Sequence, residues 1–225
     1  MIIQTLNNIF NPIALTKTAT PQNKFGHRGI PLLIQQATSL LALLAISPFL
    51  LLVMLLIKIE SPGKVLFSQI RVGENGRHFR MYKFRSMYLK SDPHFQEPDP
   101  SQSSRDGVCK KYINDPRITV IGRFIRKYSI DELPQLFNVV TGDMCLVGPR
   151  PALAIETYEY EHTEQSRLFS KPGLTGLWQV SGRADTDFHQ QLQLDNSYIK
   201  QQSIWMDCKI ILLTVPAVLG AKGAY

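Results

Sequence analysis

Residues 30–57 read "IPLLIQQATSLLALLAISPFLLLVMLLI", a run of 28 residues that carries no formal charge. About 20 apolar residues suffice to cross a bilayer, so this length predicts a membrane-embedded helix. The run is too long for a signal peptide, and no convincing small-residue cleavage site follows it. A buried helix of a soluble domain is the less favoured alternative.

The flanks and the centre of this segment bear on how it enters the membrane. Lysine and arginine occur on both sides, so the positive-inside bias is nearly balanced and both ends fit a cytoplasmic position. Pro48 removes a backbone donor and can bend the helix, and the hydroxyl of Ser47 could satisfy a carbonyl that the bend frees. A re-entrant helix that dips in and returns explains both features, while a straight span with a modest kink stays open.

The first half of the remaining chain predicts one pair of strands and two irregular stretches. Residues 1–29 are weakly patterned and are interpreted as an extension. Residues 65–72 and 78–84 are β-rich, and "GENG" at 73–76 is a turn between them, which predicts two short strands. Residues 88–114 are polar and rich in Pro and Ser, so we expect a loop there, with partial disorder and ordering by substrate both left open.

The second half predicts mainly helices. Helical patterning marks residues 120–129, 131–140 and 187–201, whereas "KPGLTGLWQVSGR" at 171–183 is a turn region punctuated by glycine. The apolar stretch 203–225 fits a helix lying flat in the membrane interface and a core helix equally well.

Charge and cysteine content narrow the classes of partner. The formal net charge is +7, which favours an anionic partner such as nucleic acid, acidic lipid or a phosphorylated substrate. No helix-turn-helix, RNP or zinc-finger pattern is present, and the apolar run makes nucleic acid the least natural of the three. The three cysteines form no CxxC pair, so we expect neither a disulfide framework nor a zinc site. We also expect that the protein resides in a reducing compartment.

Residues 129–132 read "SIDE" and allow two interpretations. Ser129 and Glu132 have the spacing of a capping box, in which Asp131 would merely complement the helix dipole. The same placement predicts an ionised Asp131 suited to nucleophilic attack, with Glu132 as a proton acceptor or metal ligand. Two adjacent carboxylates also suit Mg²⁺ bound to a diphosphate. Both interpretations can hold together if the cap orients the pair.

Several cations stand close to glycine and proline rather than along one helix face, which suggests loops that converge on phosphate. They are Lys83, Arg85, Arg123, Arg126, Lys127, Arg150 and Arg183.

Three longer segments together carry a family resemblance. "SPGKVLFSQIRVGENGRHFRMYKFRSM" (61–87), "DPRITVIGRFIRKYSIDELPQLFNVVTGDMCLVGPRP" (115–151) and "KPGLTGLWQVSGR" (171–183) resemble the monotopic phosphoglycosyl transferases, the bacterial sugar transferases of surface-polysaccharide synthesis. The "ISP" break and the terminal "GAY" agree with that family. The resemblance runs from about residue 40 to the end of the chain.

The resemblance implies an α/β fold, α-rich with a small β-hairpin. Its re-entrant membrane helix (30–58) would be broken at Ser47 and Pro48, and interfacial amphipathic helices would surround a compact catalytic domain (59–225). It also implies the cytoplasmic face of the bacterial inner membrane, contact with membrane lipids, and a possible homodimer.

The resemblance further implies the reaction. Asp131 would attack the β-phosphate of a UDP-sugar and release UMP, and undecaprenyl phosphate would then take the phosphosugar from Asp131. Asp131 and Glu132 would form the catalytic dyad with Mg²⁺. The family's phosphate-handling positions match Lys83, Arg126 and Arg150, and a further acidic position matches Asp195.

The chain departs from the family at the start of the membrane helix, where Gln36 replaces a usual acidic residue. No multi-spanning N-terminal domain is expected, and residues 88–114 and 184–200 are expected to select the sugar. Two alternatives stay open: a non-catalytic membrane adaptor, and direct transfer in which Glu132 is the base and Asp131 only a metal ligand.

Overall fold

The computed structural model describes residues 26–99, 101, 112, 114–157, 165–182 and 188–220. Within these residues the helices are α1 (Leu32–Glu60), α2 (Val120–Lys127), α3 (Gln135–Val140), α4 (Ala154–Thr157), α5 (Leu177–Ser181), α6 (Phe188–Gln201) and α7 (Ile204–Leu219). The strands are β1 (Leu66–Val72), β2 (His78–Phe84), β3 (Cys145–Val147) and β4 (Gly173–Thr175). Most of the predicted extension and the predicted site residue Arg183 lie outside the described residues.

The apolar segment forms one continuous helix of 29 residues, α1. It passes through Pro48 without a non-helical residue, so the predicted break is a proline inside an uninterrupted helix. Ser47 Oγ donates to the Leu44 carbonyl at 2.8 Å. That carbonyl is the acceptor that the missing Pro48 N–H would have used, so the predicted compensation is confirmed.

Both ends of α1 are anchored on the rest of the protein. Near its start, Gln35 Oε1 accepts the Leu146 N–H at 2.6 Å, and Gln36 Nε2 donates to the Val140 carbonyl at 3.1 Å. A carboxylate at position 36 could not make that donation, so the neutral residue suits this carbonyl. Near its end, Val53 and Ile57 pack in a core cluster with Phe84 and Ile125.

Most of α1 presents apolar side chains outward. Among the described helices it alone is long and apolar enough to cross a membrane. Its exposed large side chains are Leu33, Ile34, Leu40, Leu41, Leu44, Phe49, Leu51, Leu52, Leu55, Leu56 and Ile59.

The predicted pair of strands is confirmed. β1 and β2 are antiparallel, in register from Leu66 opposite Phe84 to Val72 opposite His78. The turn between them contains a 3₁₀ turn over Glu74–Gly76, as the turn signal indicated.

A second sheet was not predicted. β3 and β4 pair in parallel where the sequence predicted a turn region. Each strand has three residues, too few for an alternating pattern to be read. Gly173 is needed because a Cβ there would lie 2.0 Å from the Gly148 nitrogen. The glycine at position 173 therefore allows close backbone packing between the strands. In the sequence, such a glycine cannot be told from one in a turn.

The helix predictions are right in two places and wrong in one. α2 and α6 lie where periodicity placed them. The helix predicted over 131–140 is divided into a 3₁₀ turn over Ile130–Glu132 and the short helix α3. Pro134 stands between the two parts because its missing N–H is tolerated only at the start of a helix.

The last helix, α7, has two different sides. Asp207 and Ile210 are buried, as expected of a core helix. Trp205, Leu212 and Val215 are exposed, as expected of a helix that contacts lipid. The core alternative therefore holds for one side, and the interfacial position of the other side stays a prediction.

Candidate active site

The two adjacent carboxylates lie on the 3₁₀ turn that links α2 to α3. Ser129 precedes them with a left-handed backbone, φ 53° and ψ 22°, and its side chain makes no capping bond. Its N–H donates to the Arg126 carbonyl at 3.1 Å. The predicted capping box is therefore wrong, because an N-cap residue needs an extended backbone to reach the next turn. The left-handed Ser129 instead redirects the chain so that Asp131 is buried.

Strand β2 supplies a cation to this turn. Lys83 Nζ donates to Glu132 Oε1 at 2.5 Å, a charge-assisted bond that joins the strand to the carboxylate pair. The structure thus brings together Lys83, Asp131 and Glu132 from distant parts of the sequence. Arg126, one helical turn before Ser129, acts electrostatically on Asp131 as well.

Asp131 is 9% exposed, and its surroundings shift its acidity. Burial and then the neighbouring charge of Glu132 raise the pKa of Asp131 from 3.8 to about 6, while Lys83 and Arg126 act to lower it. Loss of water outweighs the favourable charges, so the pKa of Asp131 rises, although the sequence prediction considered those charges alone. At pH 7 roughly nine tenths of such a group is still ionised.

A second cluster surrounds the other predicted acidic residue. Asp195 of α6 is 1% exposed and its Oδ2 lies 2.7 Å from Arg167 Nη2. The same Nη2 donates to the Arg150 carbonyl at 2.9 Å. The Arg150 guanidinium stands over the Trp178 ring, 5.6 Å from its centre. Burial raises the pKa of Asp195 to about 6, although Arg167 and the Arg150 backbone act to lower it.

Sequence reasoning found Arg150 and Asp195 but missed Arg167 and Trp178. Arg167 follows no motif, and the only signal was its position four residues before the "KPG" segment. Trp178 stands inside "GLWQV", where an aromatic residue is more often core than binding site.

Arg85, a predicted phosphate ligand, has a different environment. It is buried and donates to the Ser61 carbonyl at 2.6 Å and the Pro62 carbonyl at 2.7 Å. These carbonyls follow the last turn of α1, so Arg85 satisfies the C-terminal end of that helix. Its phosphate role stays a prediction.

One further acidic residue, missed by sequence reasoning, shares an electrostatic neighbour with Asp131. Asp115 forms an ion pair with Arg117, with Oδ2 and Nη2 2.7 Å apart. Although burial acts to raise it, the pKa of Asp115 is lowered by hydrogen bonds from Arg117, with a smaller contribution from Arg126. Arg126 is therefore within electrostatic reach of both Asp115 and Asp131.

The carboxylate pair suits a magnesium ion. Among the described residues no group of three or more His, Cys, Asp or Glu side chains forms a ready-made metal cage. Mg²⁺ is commonly held by one or two carboxylates, with substrate phosphates and water as its other ligands. Asp131 and Glu132 provide such a donor pair.

An apolar groove of about 370 Å³ lies between α1, the hairpin and the start of α3. Pro134, which contributes to its wall, follows Glu132 by two residues in the chain. Its lining residues are Leu43, Leu50, Met54, Leu66, Tyr82, Phe84, Pro134 and Phe137. Residues of α1, of the hairpin and of the start of α3 thus line a surface suited to hydrocarbon.

Comparison with known proteins identifies the family of the chain. The family model described as bacterial sugar transferase matches residues 27–221. The galactosyl transferase CpsE of Streptococcus agalactiae is 52% identical over 72% of this chain and 36% of its own length. The exopolysaccharide production protein ExoY of Rhizobium meliloti is 42% identical over 82% of this chain and 83% of its own length.

A third relative is named for its reaction. The undecaprenyl-phosphate galactose phosphotransferase of Salmonella typhimurium is 46% identical over 72% of this chain and 35% of its own length. The chain thus spans about a third of CpsE and of the Salmonella protein, and over four fifths of ExoY. By the family match across most of its length, the chain belongs to the bacterial sugar transferases.

Proposed function

We propose that this protein transfers a sugar 1-phosphate from a UDP-sugar to undecaprenyl phosphate and thereby initiates a bacterial surface glycan. The products are undecaprenyl-diphosphate sugar and UMP. The observation that carries the proposal is the buried Asp131 beside Glu132, Lys83 and Arg126. Relatives named as phosphotransferases acting on undecaprenyl phosphate support the acceptor, and one named for UDP-glucose supports the donor.

The first step forms a covalent intermediate on Asp131. A carboxylate oxygen attacks the β-phosphorus of the UDP-sugar, and the bond from that phosphorus to the bridging oxygen breaks. The bridging oxygen leaves with its electron pair as part of UMP, and an acyl phosphate joins the sugar to Asp131. Lys83 and Arg126 offset the negative charge on the transferring phosphoryl group.

The second step regenerates the enzyme. A phosphate oxygen of undecaprenyl phosphate attacks the same phosphorus, and the bond to the Asp131 carboxylate breaks. Glu132, held by Lys83 at 2.5 Å, can accept the proton of a singly protonated acceptor phosphate. One phosphoanhydride replaces another over the two steps, so little driving force is needed.

Asp131 and Glu132 would hold Mg²⁺, which would supply neutralising charge to the diphosphate. The protein's own residues supply the remaining parts of the site. Burial keeps water away from the acyl phosphate, and Lys83 fixes the position of Glu132.

The contacts of α1 support a re-entrant position on the cytoplasmic face of the inner membrane. At its start, the Ile30 N–H donates to Asp207 Oδ2 at 2.8 Å. At its end, Glu60 Oε1 accepts the Val120 N–H at 2.6 Å. A straight helix of this length, about 44 Å, would carry its ends to opposite sides of a bilayer. One attached domain cannot contact both ends in that case.

The apolar groove supports a lipid acceptor. Its wall includes Pro134, two residues after Glu132 in the chain, and Leu43 and Leu50 of α1. Its volume suits the part of a polyprenyl chain nearest the phosphate. A lipid entering along α1 would therefore present its phosphate to the catalytic turn.

The test is UMP release from a panel of UDP-sugars with undecaprenyl phosphate and Mg²⁺. One donor should be active with the wild type and inactive with Asp131→Asn. Asp143→Asn, which removes a carboxylate bonded to Thr141, is the matched control and should remain active. No release with any donor, by protein shown to be folded and membrane-bound, would favour the adaptor alternative.

A further inference from the structure

Strand β2 is held, on the side opposite β1, by one side chain of α3. Asn138 is fully buried, and its Oδ1 accepts the Tyr82 N–H at 3.1 Å. Its Nδ2 donates to the Arg80 carbonyl at 2.8 Å. Both backbone groups lie on the edge of β2 that faces away from β1. A single amide therefore bonds β2 at two points, as a neighbouring strand would.

The same strand carries Lys83, one residue after Tyr82. Lys83 Nζ donates to Glu132 Oε1 at 2.5 Å. Strand β2 thus meets the segment that runs from the catalytic turn into α3 at two places, once through Glu132 and once through Asn138. The two contacts join the same two pieces of chain, so the position of one depends on the position of the other.

The segment between Glu132 and Asn138 is a continuous run of turns. The Leu133 N–H donates to the Ile130 carbonyl at 3.2 Å. The Leu136 N–H in turn donates to the Leu133 carbonyl at 3.0 Å. Because each of these bonds overlaps the next, the catalytic turn and α3 move together. A displacement of Asn138 relative to β2 is therefore passed on to Glu132.

Apolar packing alone does not fix where β2 stands along α3. Phe79 and Met81 of β2 pack in one core cluster with α3, and hydrophobic contact is not directional. Side chains alternate along a strand, so a shift by one residue would turn Lys83 to the opposite face, away from Glu132. The bonds of Asn138 oppose that shift, because it would place backbone groups that point towards β1 opposite the amide.

We propose that Asn138 is a positioning residue for the reaction, because the register that it imposes on β2 keeps Lys83 against Glu132. Being fully buried, Asn138 acts through Lys83 rather than by touching substrate. The effect on turnover rests on the proposed function, whereas the effect on the position of Lys83 concerns the folded protein alone.

The reactivity of Lys83 tests the positional claim without turnover. Wild type and Asn138→Leu, which keeps a similar shape but makes neither bond, are acylated briefly with an amine-reactive reagent and examined by peptide mass spectrometry. Labelling of Lys83 relative to the exposed Lys200 should rise by about 2- to 5-fold in Asn138→Leu, the factor that a partly exposed ion pair typically contributes. Ile210→Ala, the matched control, removes buried contacts in a different cluster, around α7, and should leave this ratio unchanged.

Two results of the labelling would overturn the proposal. They are an unchanged ratio in folded Asn138→Leu protein, and an equal rise in Ile210→Ala. Should Asn138→Leu fail to fold, Asn138→Ala takes its place in the same measurement, because the smaller side chain leaves room for water at the two freed backbone groups.

The pH profile of UMP release gives a second readout that a general loss of stability would not move. Lys83 acts to lower the pKa of Asp131, so Asn138→Leu should move the acidic limb to higher pH, as expected for Lys83→Met. In the Lys83→Met background, Asn138→Leu should add no further shift, because both changes act on one interaction. Equal shifts with and without Lys83 would contradict the proposal. A wild type inactive with every donor would count against the proposed function, and the labelling would still decide the role of Asn138.

Discussion

Asp131 and Asp195 are both buried, and burial raises the pKa of each to about 6. They differ in what their carboxylates contact. Asp195 lies within 2.7 Å of Arg167, which is itself buried. At the other site, Lys83 forms its ion pair with Glu132, the neighbour of Asp131. Both aspartates therefore have a raised pKa. They differ in the nearest cation, because Arg167 contacts Asp195 directly whereas Lys83 contacts the neighbour of Asp131.

The backbone conformation around Asp195 also differs from that around Asp131. Asp195 lies inside a 14-residue helix, α6, where it fixes Arg167 and through it the Arg150 carbonyl. Asp131 lies on a 3₁₀ turn behind a left-handed Ser129. We infer that Asp195, acting through Arg167, positions the predicted phosphate ligand Arg150. We infer that Asp131 is placed to attack the β-phosphorus of the donor. The four predictions below test this difference.

Asp131→Asn should have the largest effect. Loss of the nucleophile should lower UMP release by about 1,000-fold or more. The stability of the folded protein should rise although its activity falls, because the variant no longer has to ionise a buried carboxyl. The free energy of unfolding at pH 7 should rise by on the order of 2 kcal/mol, measured by denaturant titration in detergent.

The pH dependence provides the control for that gain. The pKa of Asp131 is raised in the folded state, so the wild type loses stability as the pH rises from about 4 to about 6. The two proteins should therefore be equally stable below about pH 4 and differ by a constant amount above about pH 6. A gain that is already present below pH 4 would show that burial of the charge is not its cause.

Asp195→Asn should raise stability less than Asp131→Asn does, because two effects oppose each other. The variant no longer ionises a carboxyl whose pKa burial raises to about 6, but Arg167 loses the carboxylate that lies 2.7 Å from it. Thermal unfolding at pH 7 should therefore show no rise comparable to that of Asp131→Asn. An Asp195→Asn protein that loses turnover as completely as Asp131→Asn does would instead place Asp195 in the chemistry.

Lys83→Met should shift the pH dependence of turnover. Lys83 acts to lower the pKa of Asp131, so its removal should raise that pKa above about 6 and move the acidic limb of the rate profile to higher pH. Lys83→Arg, which keeps the charge, is the matched control. A lower rate with an unmoved acidic limb would mean that Lys83 serves substrate binding alone.

Trp178→Leu should have the smallest effect. The substitution removes the ring beneath the Arg150 guanidinium, an interaction worth about 0.5–2 kcal/mol. KM for the donor should rise by a few-fold at nearly unchanged kcat, with Trp178→Phe retaining part of the contact. A fall in kcat alone would show that the ring supports the transition state rather than substrate binding.

The sequence predicted the long helix, the hairpin and the carboxylate pair because each depends on local pattern. Alternation shows β1 and β2, and a charge-free run of apolar residues shows α1. The parallel pair β3 and β4 could not be read, because three-residue strands are set by distant backbone packing at Gly148 and Gly173. Local pattern therefore suffices for the 29-residue helix and the seven-residue strands, but not for the three-residue strands.

The site was predicted by residue type but not by contact. Asp131, Glu132 and Lys83 were found, whereas the pairing of Lys83 with Glu132 joins residues 49 positions apart. The raised pKa of Asp131 was not predicted, because the sequence shows nearby charges but not the exclusion of water. Arg85 shows the same limit, since a cation in a plausible motif turned out to contact backbone carbonyls.

The most direct test of the central claim is capture of the intermediate on Asp131. The purified enzyme, with Mg²⁺ and the UDP-sugar that supports UMP release, is quenched in acid without acceptor and examined by peptide mass spectrometry. The account predicts a sugar-phosphate adduct on the peptide containing Asp131, absent in Asp131→Asn and lost when undecaprenyl phosphate is added. An active enzyme that shows no adduct and releases UMP only with acceptor present would contradict it and support direct transfer.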